Sequence, residues 1–112
     1  MSYAVQSTPK FLVQAKRLAG RYHSILDDLE RLVDDLSEHP TQGAPLGSGL
    51  YKVRLAIKSK NKGKSGGARV ITFVYTLQEE VYLLALYDKS EQEDLTSDEI
   101  GELRAIAHSL QS

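Results

Sequence analysis

The chain of 112 residues contains no cysteine. That excludes a disulfide framework, a thiol nucleophile and a cysteine-ligated zinc site, and it agrees with a reducing compartment. No apolar run is long enough to span a bilayer, and the N-terminus, with Pro9 and Lys10 near its start, lacks the charged-then-apolar order of a secretory signal. A soluble, intracellular protein with no membrane partner is expected. The three histidines, His23, His39 and His108, lie far apart, and none has metal-ligand spacing. A ribonuclease built on paired histidines is therefore not indicated, and no metal is expected.

The most informative absence is regional. Between Leu50 and Gln78 there is no acidic residue, although the whole chain carries 15 acids against 14 Lys and Arg. That stretch holds seven basic residues: Lys52, Arg54, Lys58, Lys60, Lys62, Lys64 and Arg69. Nine acids fall between Glu79 and Glu102 and six between Asp27 and Glu38. Exposed charges are largely screened beyond about 8 to 10 Å at physiological salt, so local potential, and not the net charge, decides whether a surface attracts phosphate.

What is present reads as one domain over residues 1–112, since this length with 41% hydrophobic residues suffices for one modest core. Tyr3–Gln6 is a short first strand. Ser7-Thr8-Pro9 opens a helix to about Tyr22, with Phe11, Ala15, Leu18 and Tyr22 on one side. Ser24 and Asp27 resemble a capping pair for a second helix whose apolar stripe is Ile25, Leu29, Leu32, Val33 and Leu36, with Asp27, Asp28, Glu30, Asp34 and Asp35 off the stripe. Thr41–Gly49 is rich in glycine and proline and breaks regular structure. From Leu50 to Lys58 the period becomes two: Tyr51, Val53, Leu55 and Ile57 leave on one face, and Lys52, Arg54, Ala56 and Lys58 on the other. Ser59–Gly67 is a polar hairpin loop. Arg69–Tyr75 and Val81–Tyr87 are almost continuously apolar, as strands covered on both faces are, with Gln78–Glu80 turning between them. Thr96 and Glu99 form a capping box for a last helix with Ile100, Leu103, Ala107 and Leu110 on one side. The expected class is α+β: two N-terminal helices on a small, mainly antiparallel sheet, with a C-terminal helix.

The alternating cations of the first long strand feed straight into the Lys/Gly loop, and cations fixed on a strand face meet phosphates with less ordering entropy than cations on a loose tail. The plainer reading is a solvated face with a solubilising loop, but such faces usually mix both signs. Gly63-Lys64-Ser65 resembles the end of a P-loop, yet Lys58 stands where the first glycine belongs and the segment joins strand to strand. That context argues against an NTPase. Tyr87 and Lys89 stand at the end of the last apolar strand, where side chains can reach a ligand or, more plainly, form a core tyrosine beside a surface lysine.

Three blocks in order, Leu50-Tyr51-Lys52-Val53-Arg54, Gly63 through Ile71, and Leu84 through Glu91, followed by Asp94-Leu95-Thr96 before the final helix, resemble toxins of the RelE/HigB type in the RelE/ParE superfamily. The resemblance covers nearly the whole chain. It implies a cytoplasmic bacterial toxin, held inactive by a cognate antitoxin, that cuts messenger RNA on the ribosome without metal or small-molecule cofactor. The RNA's own 2′-hydroxyl attacks the adjacent phosphate, so the protein mainly orients groups and stabilises charge. By the same resemblance Arg69 clamps the scissile phosphate, Lys52 and Arg54 neutralise the transition state, Lys89 protonates the leaving oxygen, and Tyr87 is the candidate for the family's catalytic tyrosine. Lys58, Lys60, Lys62 and Lys64 would hold flanking RNA. Two other functions stay open: a ParE-like inhibitor that binds DNA gyrase and catalyses nothing, and a non-catalytic RNA-binding module.

Overall fold

The computed structural model describes residues 2–60 and 66–111. In chain order the elements are β1 (Ala4–Ser7), α1 (Pro9–Ala19), α2 (Ile25–Glu38), β2 (Ala44–Gly47), β3 (Leu50–Leu55), β4 (Ala68–Tyr75), β5 (Glu80–Asp88) and α3 (Ser97–Leu110). The strands form one mixed sheet in the order β1-β5-β4-β3-β2, parallel between β1 and β5 and antiparallel elsewhere. Phe11 and Leu18 of α1 and Ile25, Leu29 and Leu36 of α2 pack with Val53, Leu55, Val70, Leu83 and Leu86 on one face. Leu103 and Ala107 of α3 pack with Leu50, Ile71, Phe73, Leu84 and Tyr87 on the other. β4 and β5 are thus sandwiched, which accounts for their unbroken apolar sequence. The α+β class expected from the sequence is the one observed.

Local signals explain two of the three helix starts. Thr8 accepts a hydrogen bond from the Phe11 amide at 3.3 Å, and Pro9 occupies the first turn. The expected capping box of α3 is complete: Thr96 Oγ1 accepts from the Glu99 amide at 3.1 Å, and Glu99 Oε1 accepts from the Thr96 amide at 2.8 Å.

Five expectations need correction, the first being the strand from Leu50 to Lys58: β3 stops at Leu55, and Lys58 opens a 3-10 turn over Lys58–Lys60. α1 ends at Ala19, short of Tyr22. Ser24 makes no side-chain cap; its hydroxyl donates to Asp28 at 2.8 Å. Asp28, expected off the packed stripe, is buried, and also accepts from Arg31 at 2.6 Å and the Lys58 amide at 3.2 Å. Its carboxylate satisfies the chain leaving β3, a need that hydropathy does not register. The Gly/Pro segment is not wholly irregular, because β2 pairs with the start of β3 as an edge strand, where Pro45 is tolerated. Gly43 permits the approach: its φ is +99°, and a Cβ there would lie 2.5 Å from the Lys52 carbonyl oxygen.

One irregularity sets the chemistry. Ile71 pairs with Ala85 and Thr72 with Leu83, leaving Leu84 as an extra residue in β5. Leu84 and Ala85 consequently both join the α3-side core. Alternation restarts one step out of phase, so Tyr87 faces the α3 side and Asp88 faces α1 and α2; without the bulge the two would be exchanged.

Thr72, opposite Leu83, has a fully buried hydroxyl with no hydrogen-bond partner among the described residues. Thr72→Val removes that unsatisfied group at nearly constant shape and is expected to raise stability by about 1 kcal/mol in urea titration. A loss of stability would show that the hydroxyl has a partner.

Candidate functional site

Strand register places the cations together. Arg54 pairs with Arg69, and Arg69 with Tyr87, so the three form a row across β3, β4 and β5. Lys52 lies one pleat before Arg54 on the same face, and Lys89 one pleat beyond Tyr87. The Lys89 amide donates to the Gly67 carbonyl at 3.1 Å, which holds the strand end to the start of β4. Lys52, Arg54, Arg69 and Lys89 line one cleft of about 750 Å³, shared with Gln42–Ala44, Glu93 and Asp94. Like charges directly opposite on neighbouring strands destabilise a sheet. The Arg54–Arg69 pair is therefore what a ligand-binding sheet shows and a merely stable one avoids.

The acids at the cleft come from the segment between β5 and α3. Asp94 Oδ1 accepts from the Leu95 amide at 2.8 Å, from Lys52 Nζ at 3.3 Å and from the Tyr87 hydroxyl at 3.5 Å. The Leu95 amide, and then Lys52, hold its carboxyl below the usual carboxylate range against a smaller opposing effect of burial. Gln92 ties the segment to the α3 cap by donating to Glu99 at 2.8 Å. Tyr87 is 5% exposed; burial, and next the Asp94 charge, push its hydroxyl up to about 12, with Arg69 pulling the other way. It keeps its proton at neutral pH and donates a hydrogen bond to Asp94. Arg69 is also 5% exposed, and its guanidinium donates to the Ala68 carbonyl at 3.0 Å.

The loop cations among the described residues are Lys58 and Lys60. Lys58 is exposed and lines a groove of about 180 Å³ with Asp28, Arg31 and Asp35 beside α2, which adjoins the cleft through Gln42 and Arg54. Lys60 is turned inward, its side chain only 8% exposed, with Nζ 2.7 Å from Asp88 Oδ1 and 3.1 Å from the Gly66 carbonyl. Asp88 is fully buried and also accepts from Tyr22 at 2.5 Å and from the Ser90 amide and hydroxyl at 2.9 and 2.7 Å. Burial alone would raise its carboxyl, but the hydrogen bonds from Lys60, Tyr22 and Ser90 outweigh it and hold the group far below the usual range. Lys60 thus staples the loop ends, its charge already paired with Asp88. Lys62 and Lys64 lie outside the described residues. The sequence's all-positive stretch is not all-positive in space, because Asp88 and Asp94 fold back onto it.

Sequence reasoning missed Asp94, Glu93 and Gln42 at the cleft. Asp94 sits in an ordinary acidic run before a helix cap, and only the return of that run onto β3 distinguishes it. Among the described residues, no group of three or more His, Asp or Glu is placed to hold a metal ion, and no helix is long and apolar enough to cross a membrane.

Residues 13–112 match the sequence model of a family described as the RelE toxin of the RelE/RelB toxin–antitoxin system. Among solved structures, the isolated RelE toxin of Escherichia coli superposes with a TM-score of 0.61 at 14% identity, over 94% of this chain and 99% of that one. A free-state mutant of the same toxin gives 0.60 at 16% identity, over 83% and 90%. The toxin–antitoxin complex RelBE2 of Mycobacterium tuberculosis gives 0.58 at 20% identity, over 79% and 92%. At these identities the structural likeness speaks for the fold.

Proposed function

Because the chain belongs to the RelE toxin family, we propose that it is an endoribonuclease that cuts messenger RNA on the ribosome in the cytoplasm and is neutralised by a cognate antitoxin. The observation that supports this most is the convergence of Lys52, Arg54, Arg69 and Lys89 on one cleft, with the Tyr87 hydroxyl beside it. A phosphodiester entering that cleft meets two guanidinium and two ammonium groups in a partly desolvated setting, where charge on a pentacoordinate phosphorus is best stabilised. The attacking 2′-hydroxyl belongs to the RNA, so the protein has to align it, neutralise the phosphate, and supply a proton to the departing 5′-oxygen, a role that suits Lys89. An antitoxin partner accords with the complex formed by the mycobacterial neighbour. A partner element laid over the cleft would bury the cations and exclude RNA.

Mapping of RNA ends in cells induced to express the chain without its partner tests this reading. The expected result is growth arrest with new ends inside translated codons, upstream fragments ending in cyclic phosphate and downstream fragments starting with a 5′-hydroxyl. Arrest with intact messages and inhibited supercoiling would instead favour the gyrase-binding function.

A further inference from the structure

We infer that Asp94 is the proton acceptor for the attacking 2′-hydroxyl, an assignment that rests on the endoribonuclease reading above. The cleft needs a base. Tyr87 keeps its proton, and the two lysines that line the cleft serve as cations in the reaction described. That leaves the carboxylates, Glu93 and Asp94. Both are exposed, but Glu93 has no hydrogen bond or ion pair among the described residues, so ordering it would cost side-chain entropy. Asp94 is already oriented: Oδ1 is fixed by the Leu95 amide, Lys52 and Tyr87, while Oδ2 accepts no hydrogen bond among the described residues. A carboxylate anchored through one oxygen and open through the other is prepared to take a proton without reorganisation. The complete capping box of α3 and the Gln92–Glu99 bond hold the segment that carries it.

The step balances. The 2′-O–H proton passes to Asp94 Oδ2 as the 2′-oxygen bonds to phosphorus, the phosphorus–5′-oxygen bond breaks, and the 5′-oxygen takes a proton from Lys89. The cyclic phosphate and 5′-hydroxyl leave, and the new carboxylic acid returns its proton through water to the lysine. The carboxyl is ionised throughout the neutral range, as aspartate ordinarily is, and the alignment of Oδ2 offsets the weaker proton affinity that the Leu95 and Lys52 contacts give it. The Lys52 contact holds the base against the same phosphate that Lys52 neutralises, coupling deprotonation to charge stabilisation.

Single-turnover cleavage of a message on programmed ribosomes by the purified chain, with binding measured on a message carrying 2′-deoxyribose at the cut site, tests the assignment. Asp94→Asn keeps the shape and is expected to slow cleavage by about a hundredfold or more, with binding of the uncleavable message unchanged or tighter. Asp94→Ser, which keeps an acceptor for the Leu95 amide, is expected to behave alike if Asp94→Asn folds poorly. A purely structural role would weaken binding and rate together and overturn the assignment. So would Asp94→Asn cutting as fast as the unaltered chain or faster, which would make the carboxylate a mere competitor of phosphate. A comparable loss confined to Glu93→Gln would move the role to Glu93. If the unaltered chain leaves the message whole, the endoribonuclease reading fails and this assignment falls with it.

Discussion

Arg69→Ala is expected to reduce message cleavage about a thousandfold while leaving the melting temperature within a few degrees of the unaltered chain. Arg69 occupies the centre of the cationic row, with Arg54 on one side and Tyr87 on the other, on a strand that is hydrogen-bonded along both edges. It is therefore the cation least free to relax toward or away from a phosphate. Removing one preorganised donor to a developing oxyanion typically costs about 10²- to 10³-fold, and charged, geometrically forked donors lie at or above the upper end. Stability should change little, because the substitution also removes a like-charge neighbour from Arg54 and so offsets part of the lost packing. Arg69→Lys keeps the charge but loses the planar fork, and about a tenfold to hundredfold loss is expected. Cleavage by folded Arg69→Ala within tenfold of the unaltered rate would remove the phosphate-clamp role. The pairing of a large kinetic loss with a small thermal one separates a site residue from a core residue, since burial by itself predicts the opposite pattern.

The parts of this molecule that the sequence discloses are those governed by local or periodic chemistry. The alternation of Val53 and Leu55 with Lys52 and Arg54 gives the strand and its two faces, Thr96 and Glu99 give the start of α3, and the unbroken apolar runs give the two central strands. Pairing those strands then brings Arg54, Arg69 and Tyr87 into one row. What stays hidden depends on contacts between distant residues. The bulge at Leu84 decides that Tyr87, and not Asp88, lies on the α3 side with Arg54 and Arg69, yet nothing in Leu83-Leu84-Ala85-Leu86 marks it, because every residue there is apolar and acceptable on either face. Lys60 looks like one of several loop cations until β5 brings a buried carboxylate beneath it. Charge counted along the chain cannot tell a cation offered to solvent from one that is already paired.

The consequence of that buried pair for stability is large. Asp88→Asn is expected to cost about 3 to 5 kcal/mol, the usual range when one partner of a buried pair is removed and the other is left uncompensated. The melting temperature should fall by more than about 10 °C. Lys60, Tyr22 and Ser90 all direct their donors at this carboxylate, and Arg21 approaches it at 3.7 Å, so the turn between α1 and α2, the base of the loop and the end of β5 share one anchor. The pair itself is the cause only if removing both charges hurts less than the sum of the parts. Asp88→Asn with Lys60→Met is therefore expected to be more stable than additivity predicts by about 1.5 kcal/mol or more, and additivity within about 0.5 kcal/mol would refute the anchor. Acid should close the gap between the unaltered chain and Asp88→Asn. The folded carboxyl binds its proton at a lower pH than the unfolded one, so its contribution is complete above about pH 4 and disappears as the pH falls through the folded value. Since Tyr87 and Lys89 flank Asp88 and point the other way, loosening this anchor should also misplace the cleft's proton donors. Asp88→Asn is accordingly expected to lose cleavage together with stability, unlike Arg69→Ala, which loses cleavage alone.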